Sequence, residues 1–162
     1  MDELGKFVYT NNYARYNKDK KRRETFEEAI QVMEDMHKKK YFAWNRNIIE
    51  EAFDAIREGR VLASQRALQF SGAPIEQHNM RMYNCATSFC DRTSFFSQAL
   101  YMGLCGSGVG FSVQRVHVEQ LPNLITQSEM SDAGSVSFVV EDCIEGWARA
   151  LDALINSFFT PN

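Results

Sequence analysis

The 162-residue sequence has no apolar run long enough to span a membrane. Its start, Met1-Asp2-Glu3-Leu4-Gly5, lacks the basic residues and apolar stretch of a secretory signal. It also lacks a strong charge of either sign. The net charge of -3 gives no electrostatic reason to expect nucleic acid or an anionic membrane as a partner. The four cysteines, at 85, 90, 105 and 143, form no Cys-x-x-Cys pair and are too sparse for a secreted disulfide framework. His37, His78 and His117 are scattered, so no metal-ligand spacing is present and no metal site is expected. These absences leave a soluble cytoplasmic domain as the expectation. Its cysteines read by default as small buried hydrophobes.

The patterned segments begin with a short apolar patch, Phe7-Val8-Tyr9, followed by polar residues. Thr25 and Glu28 have the spacing of a capping box. Phe26, Ala29, Ile30, Met33 and Met36 then recur at helical intervals, and the run Lys38-Lys39-Lys40 suits a helix C-terminus. A second helix carries Ile48, Ile49, Ala52, Phe53 and Ile56 on one face, with Arg57 and Gly59 as its stop. Residues 60–81 read as a strand fragment or connector, broken at Gly72, Ala73 and Pro74. Met82 to Phe89 suits a short buried strand. Ser94 is placed to cap a helix bearing Phe95, Phe96, Ala99, Leu100 and Leu104. Gly106, Gly108 and Gly110 end that helix and open a strand with Phe111, Val113 and Val116. After a polar loop over 119–134, Val136, Phe138 and Val140 alternate as a strand does. A last helix, capped by Asp142 with Glu145 three residues on, carries an apolar stripe from Ile144 through Trp147, Leu151 and Leu154 to Phe158. The plan is α/β, with too few strands to close a sheet of their own.

Taken alone, Gly106-Ser-Gly-Val-Gly110 is neither a phosphate-binding loop, which needs Gly-Lys-Ser/Thr, nor a dinucleotide fingerprint. In the fingerprint the glycines lie between a strand and the following helix, the reverse of the order here. It reads either as a tight turn or as bare backbone that a ligand can approach closely. Asp91 reads as a helix-start acid and Arg115 as a solvated strand-end charge, unless something larger joins them.

The larger pattern is the order of the segments. Asn84-Cys85, then Asp91 and Ser94, then a helix, then the glycine turn resembles the catalytic subunits of ribonucleotide reductases. Tyr13-Ala-Arg-Tyr16 with Arg22-Arg-Glu-Thr-Phe26 resembles the N-terminal signature of the adenosylcobalamin-dependent class. Ser64-Gln-Arg-Ala-Leu68 looks like the segment before the first barrel strand, and Asp142-Cys-Ile-Glu-Gly-Trp147 like the start of a barrel helix. The resemblance spans roughly residues 7 to 160.

It implies an N-terminal helical region over 1–60, then, over 61–162, the first part of a ten-stranded α/β barrel. Cys85 would be one of the redox-active pair, with Ser64, Asn84 and Gly108 beside the substrate's phosphates and sugar. Asp91, Ser94 and Arg115 would bind a deoxynucleotide effector. The implied cofactor is adenosylcobalamin, with contacts mostly outside these residues. The implied partners are a ribonucleotide, a deoxynucleotide effector, the remaining C-terminal part of the reductase, a thioredoxin-type reductant and a second copy of the chain. The Asn-x-Cys-x-Glu loop that carries the thiyl-forming cysteine is absent from the 162 residues, so the chain is expected to be inactive alone. Two other expectations remain: a stand-alone deoxynucleotide-binding module, and part of a class I subunit served by a diiron partner. The residues do not distinguish a diphosphate from a triphosphate substrate.

Overall fold

The computed structural model describes residues 3–43, 46–126, 134 and 136–159. The chain divides into two compact units, Met1–Met82 and Tyr83–Asn162.

The first unit is helical. It comprises α1 (Glu3–Asn12), a two-residue hairpin of β1 (Tyr16–Asn17) and β2 (Arg22–Arg23), α2 (Phe26–Lys40), α3 (Arg46–Arg57), α4 (Gln65–Phe70), α5 (Ala73–Gln77) and a 3-10 turn at Asn79–Met82. The Thr25 capping box forms as its spacing predicts. Thr25 Oγ1 accepts from the Glu28 N–H at 3.2 Å, and the Thr25 N–H donates to Glu28 Oε2 at 2.8 Å. Hydrogen bonds from Arg22 and Lys20 hold the Glu28 carboxyl well below the usual carboxylate range. Gly59, at φ +74°, ends α3 with the Arg60 N–H on the Ala55 carbonyl, a left-handed stop that glycine makes without strain. The core joins Tyr9 and Ala14 to Ala29, Ile30 and Met33 of α2, Phe53 of α3, and Ala67 and Leu68 of α4.

Of residues 60–81, expected to be a strand fragment or connector, 60–64 are a connector, but from Gln65 on the segment is largely helical. Ser64 Oγ caps α4 by accepting from the Ala67 N–H at 3.4 Å, Pro74 lies in the first turn of α5, and Gly72 links the two helices at φ +85°. Helices of six and five residues are too short to display a hydrophobic period.

The second unit contains a parallel pair. β3 (Cys85–Phe89) and β4 (Gly108–Ser112) are joined by α6 (Ser94–Leu104), followed by a short α7 (Arg115–Val118) and by α8 (Ile144–Asn156). Phe95 of α6 is buried and packs on Phe111 of β4 with ring centroids 5.1 Å apart. Ser97 of α6 donates to Asp152 of α8 at 2.8 Å.

Several expectations are corrected here. β3 begins at Cys85, so Asn84 precedes the strand. Its residues are exposed or half-buried, because α6 covers only one face. Ser94 is the first residue of α6 and Thr93 the cap. β4 stops at Ser112, and Val116 lies in α7 with Arg115 as that helix's first residue. Val136, Phe138 and Val140 are exposed and form no strand, since no described strand pairs with them. The cap of α8 is Cys143, whose Sγ accepts from the Gly146 N–H at 3.3 Å, and not Asp142. The apolar stripe of α8 is only partly covered, with Trp147 and Leu154 more than half exposed. Residues 127–133 of the polar loop expected over 119–134 lie outside the described residues.

Candidate functional site

The site is built around the parallel pair. Parallel strands put register partners on the same face, so Cys85 lies beside Gly108, Thr87 beside Gly110 and Phe89 beside Ser112. α6 covers the opposite face through Phe95 and Phe111. Cys85 therefore stands on the face that α6 leaves open, as an exposed free thiol.

The glycine turn sets this register. Gly106 takes φ +94° at the end of α6, a conformation other residues rarely adopt. Ser107 is buried, and its hydroxyl donates to the Tyr83 carbonyl at 2.7 Å. The Gly108 N–H then donates to the Asn84 carbonyl at 2.8 Å. Composition gave no hint of the Ser107 anchor; its signal is the small polar residue fixed between two glycines.

Gly108 and Gly110 have a different basis. A side chain on Gly108 would come no nearer than 3.7 Å to the Asn84 carbonyl, and one on Gly110 would meet atoms only at 4.0 Å. Neither Cβ would clash with the described residues, so the fold does not itself require glycine at either position. The absence of side chains leaves bare backbone beside the Cys85 thiol, which suits close approach of a ligand to that thiol.

Asp91, Ser94 and Arg115 belong to the other end of the pair. Asp91 follows Phe89 by two residues and Arg115 follows its register partner Ser112 by three, so both leave the C-terminal edge of the strands. Cys85 and Gly108 open the N-terminal edge, about 13 Å away at the usual rise per strand residue. At the C-terminal edge Asp91 accepts from Arg92 at 2.6 Å, and Arg92 also reaches Gln98 at 2.6 Å. Ser94 Oγ accepts from Gln98, Arg115 pairs with Glu119, and the ring of His117 in α7 lies 4.5 Å from that of Phe89. The three predicted effector residues thus share an edge, while each has its own local partner. Ser64 belongs to the first unit, where its exposed hydroxyl caps α4.

The other cysteines divide. Cys90 and Cys105 are buried as small hydrophobes, whereas Cys143 is exposed at its cap, contrary to the default reading. In the Asp142–Trp147 motif, a side chain on Gly146 would fall 2.2 Å from the Glu141 carbonyl, so glycine is required there by the fold.

Among the described residues no group of three His, Cys, Asp or Glu side chains could hold a metal ion, and no helix is long and apolar enough to cross a membrane. The second unit has an open groove of about 590 Å³, with Ser97, Tyr101, Met102, Ala148, Arg149 and Asp152 in its walls. Its walls mix polar side chains with the apolar surfaces of Tyr101, Met102 and Ala148, and nothing in them marks a site for adenosylcobalamin.

The sequence matches no protein-family model and no curated protein. Among solved structures, a B12-dependent (class II) ribonucleotide reductase is similar, at a TM-score of 0.71 and 19% identity over 94% of this chain. The chain spans 29% of the length of that protein. The mixed helical and small-sheet architecture described above therefore matches the fold of a part of that reductase.

Proposed function

We propose that the chain is the N-terminal part of a ribonucleotide reductase large subunit of the adenosylcobalamin-dependent class. One observation carries the proposal: the Cys85 thiol lies in register with Gly108, on the open face of a parallel pair, beside backbone that the fold does not require to be bare. The likeness to a B12-dependent reductase supports it, as does the order of the motifs along the chain. In this reading β3 and β4 are the opening strands of the ten-stranded barrel, and the open face lines its interior. Exposed Phe89, on that open face, supports that reading, since parallel strands are ordinarily covered on both faces.

The chemistry assigned to Cys85 is a two-electron reduction. A thiyl radical, on a cysteine outside these 162 residues, takes the 3′ hydrogen of the ribose and later returns it. The 2′ hydroxyl leaves as water. Cys85 and a second thiol, also outside these residues, are oxidised to a disulfide as the 2′ carbon gains hydrogen. A thioredoxin-type dithiol then reduces that disulfide. Adenosylcobalamin supplies the radical in the complete enzyme when bound. Asn84, Gly108 and Ser64 contribute contacts to the sugar and phosphates, where exposed amides and small side chains suit an anion.

Asp91, Ser94 and Arg115 serve a deoxynucleotide effector at the opposite edge of the strands, separated from the reacting atoms as a regulatory site must be. The sequence has no long insertion between Gly110 and Glu145, which favours an effector site completed by a second copy of the chain. A cytoplasmic location suits the reductant.

Assaying the chain with ribonucleotides, adenosylcobalamin and a dithiol tests this reading. Alone it should form no deoxynucleotide; mixed with a polypeptide carrying the Asn-x-Cys-x-Glu loop and the rest of the barrel, it should. Reduction by the chain alone, or none after complementation, contradicts the proposal. Tight deoxynucleotide binding by the chain alone would favour a stand-alone regulatory module.

A further inference from the structure

The first unit has a cleft of its own, about 490 Å³, with Tyr13, Arg15, Arg23, Phe70, His78 and Arg81 in its walls. No aspartate or glutamate lines it. The three guanidinium groups differ in what balances them. Arg15 is matched by buried Glu24, with Nε 3.1 Å from Oε1, and also donates to the Ser71 carbonyl at 2.7 Å. Arg23 donates to the Ala14 carbonyl at 2.6 Å, and no carboxylate pairs with it among the described residues. Arg81 lies over the Phe70 ring, 5.6 Å from its centroid, and its Nε is buried without a hydrogen-bond partner among the described residues. Glu76, in the neighbouring helix, is already paired with Lys39 at 2.8 Å. Two cations therefore border one concave site with no opposing charge among the described residues. A buried guanidinium N–H without a partner is unfavourable unless an anion nearby offsets it.

We infer that this cleft binds a phosphate-bearing small molecule, with Arg81 and Arg23 as its charge partners. Arginine forks match phosphate oxygens two at a time, and two uncompensated cations match a group carrying more than one negative charge. The volume falls within the range of small-molecule sites and exceeds what a single phosphate fills, so Tyr13 and Phe70 are left to contact an organic portion. The inference is independent of the role given to Cys85.

Isothermal titration of the 162-residue chain with pyrophosphate, and separately with ATP, tests it. Saturable binding of one equivalent is expected, weakened at least tenfold by Arg81→Gln and by Arg23→Gln. Lys18→Gln, an exposed charge outside the cleft, should leave it unchanged. Asp91→Asn should also leave it unchanged, which separates this site from the proposed effector edge. Arg23→Gln carries the test should Arg81→Gln fail to reach the wild-type circular dichroism. Tighter ATP than pyrophosphate binding would support contact with the organic portion, and equal affinity would support recognition of the phosphates. Absence of saturable binding, or equal weakening by Lys18→Gln, would overturn the inference.

Discussion

Ile30 in the first unit is fully buried, whereas Phe111 in the second is more than half exposed, although each lies in a central element of its own unit. The first unit closes a core from four helices and matches its buried carboxylates with cations. Glu24 faces Arg15, and Glu34 faces both Lys38 and Arg57. The second unit presents a parallel pair with one face open, and a last helix whose Trp147 and Leu154 are exposed. Parallel strands in finished domains are covered on both sides. The contrast teaches that the first unit's sequence satisfies itself, while the second unit's apolar residues exceed what its own helices cover. A surface of that kind suits the proposed barrel continuation.

The largest effect that would sharpen this contrast is at Ile30. Ile30→Ala should destabilise the chain by about 4 kcal/mol in urea unfolding, as for other fully buried aliphatic side chains. Trp147→Ala, though it removes more atoms, should cost about 0.5 kcal/mol or less, because its site is half solvent already. Equal losses would break the comparison.

Next is Glu34. Burial by itself raises its carboxyl, but hydrogen bonds from Lys38 and Arg57 outweigh this and hold it below the ordinary carboxylate value. A carboxyl lowered in the folded state contributes stability that is present above the unfolded value and lost as pH falls through the folded one. The first unit should therefore lose stability on acidification below about pH 4.5, read by circular dichroism at fixed urea. Glu34→Gln should cost about 2 kcal/mol at neutral pH and flatten that dependence. An unchanged acid profile would contradict the assignment. The smallest effect is at the helix cap: Thr25→Ala should cost about 1 kcal/mol in the same unfolding measurement.

What could be read from the sequence follows from the length and locality of each signal. The Thr25–Glu28 box, the period from Phe26 to Met36 and the Gly59 stop are local, and all three form. The turn at Gly106 was equally legible. Three signals misled. The helices within 64–82 are too short to show a period. The alternation at Val136–Val140 finds no described strand to pair with, and Cys143 caps α8 through sulfur in place of the better-known Asp142. Helix α1 was hidden because Tyr9 is its one buried residue.

The pairing of Cys85 with Gly108 follows from a helix of known length between two strand signals, so it was within reach of the sequence. The cleft of Arg15, Arg23 and Arg81 was not. Its residues lie far apart in the chain, and each alone looks like a solvated charge. Only packing brings them to one cleft.

The central claim is that Cys85 gives its electrons to the substrate. The direct measurement is deoxynucleotide formation by the complete reductase that contains this chain, supplied with adenosylcobalamin and a dithiol, comparing the wild type with Cys85→Ser. The account predicts that the variant still binds ribonucleotide while product falls to background over repeated turnovers. Repeated turnover by Cys85→Ser at the wild-type rate would contradict it.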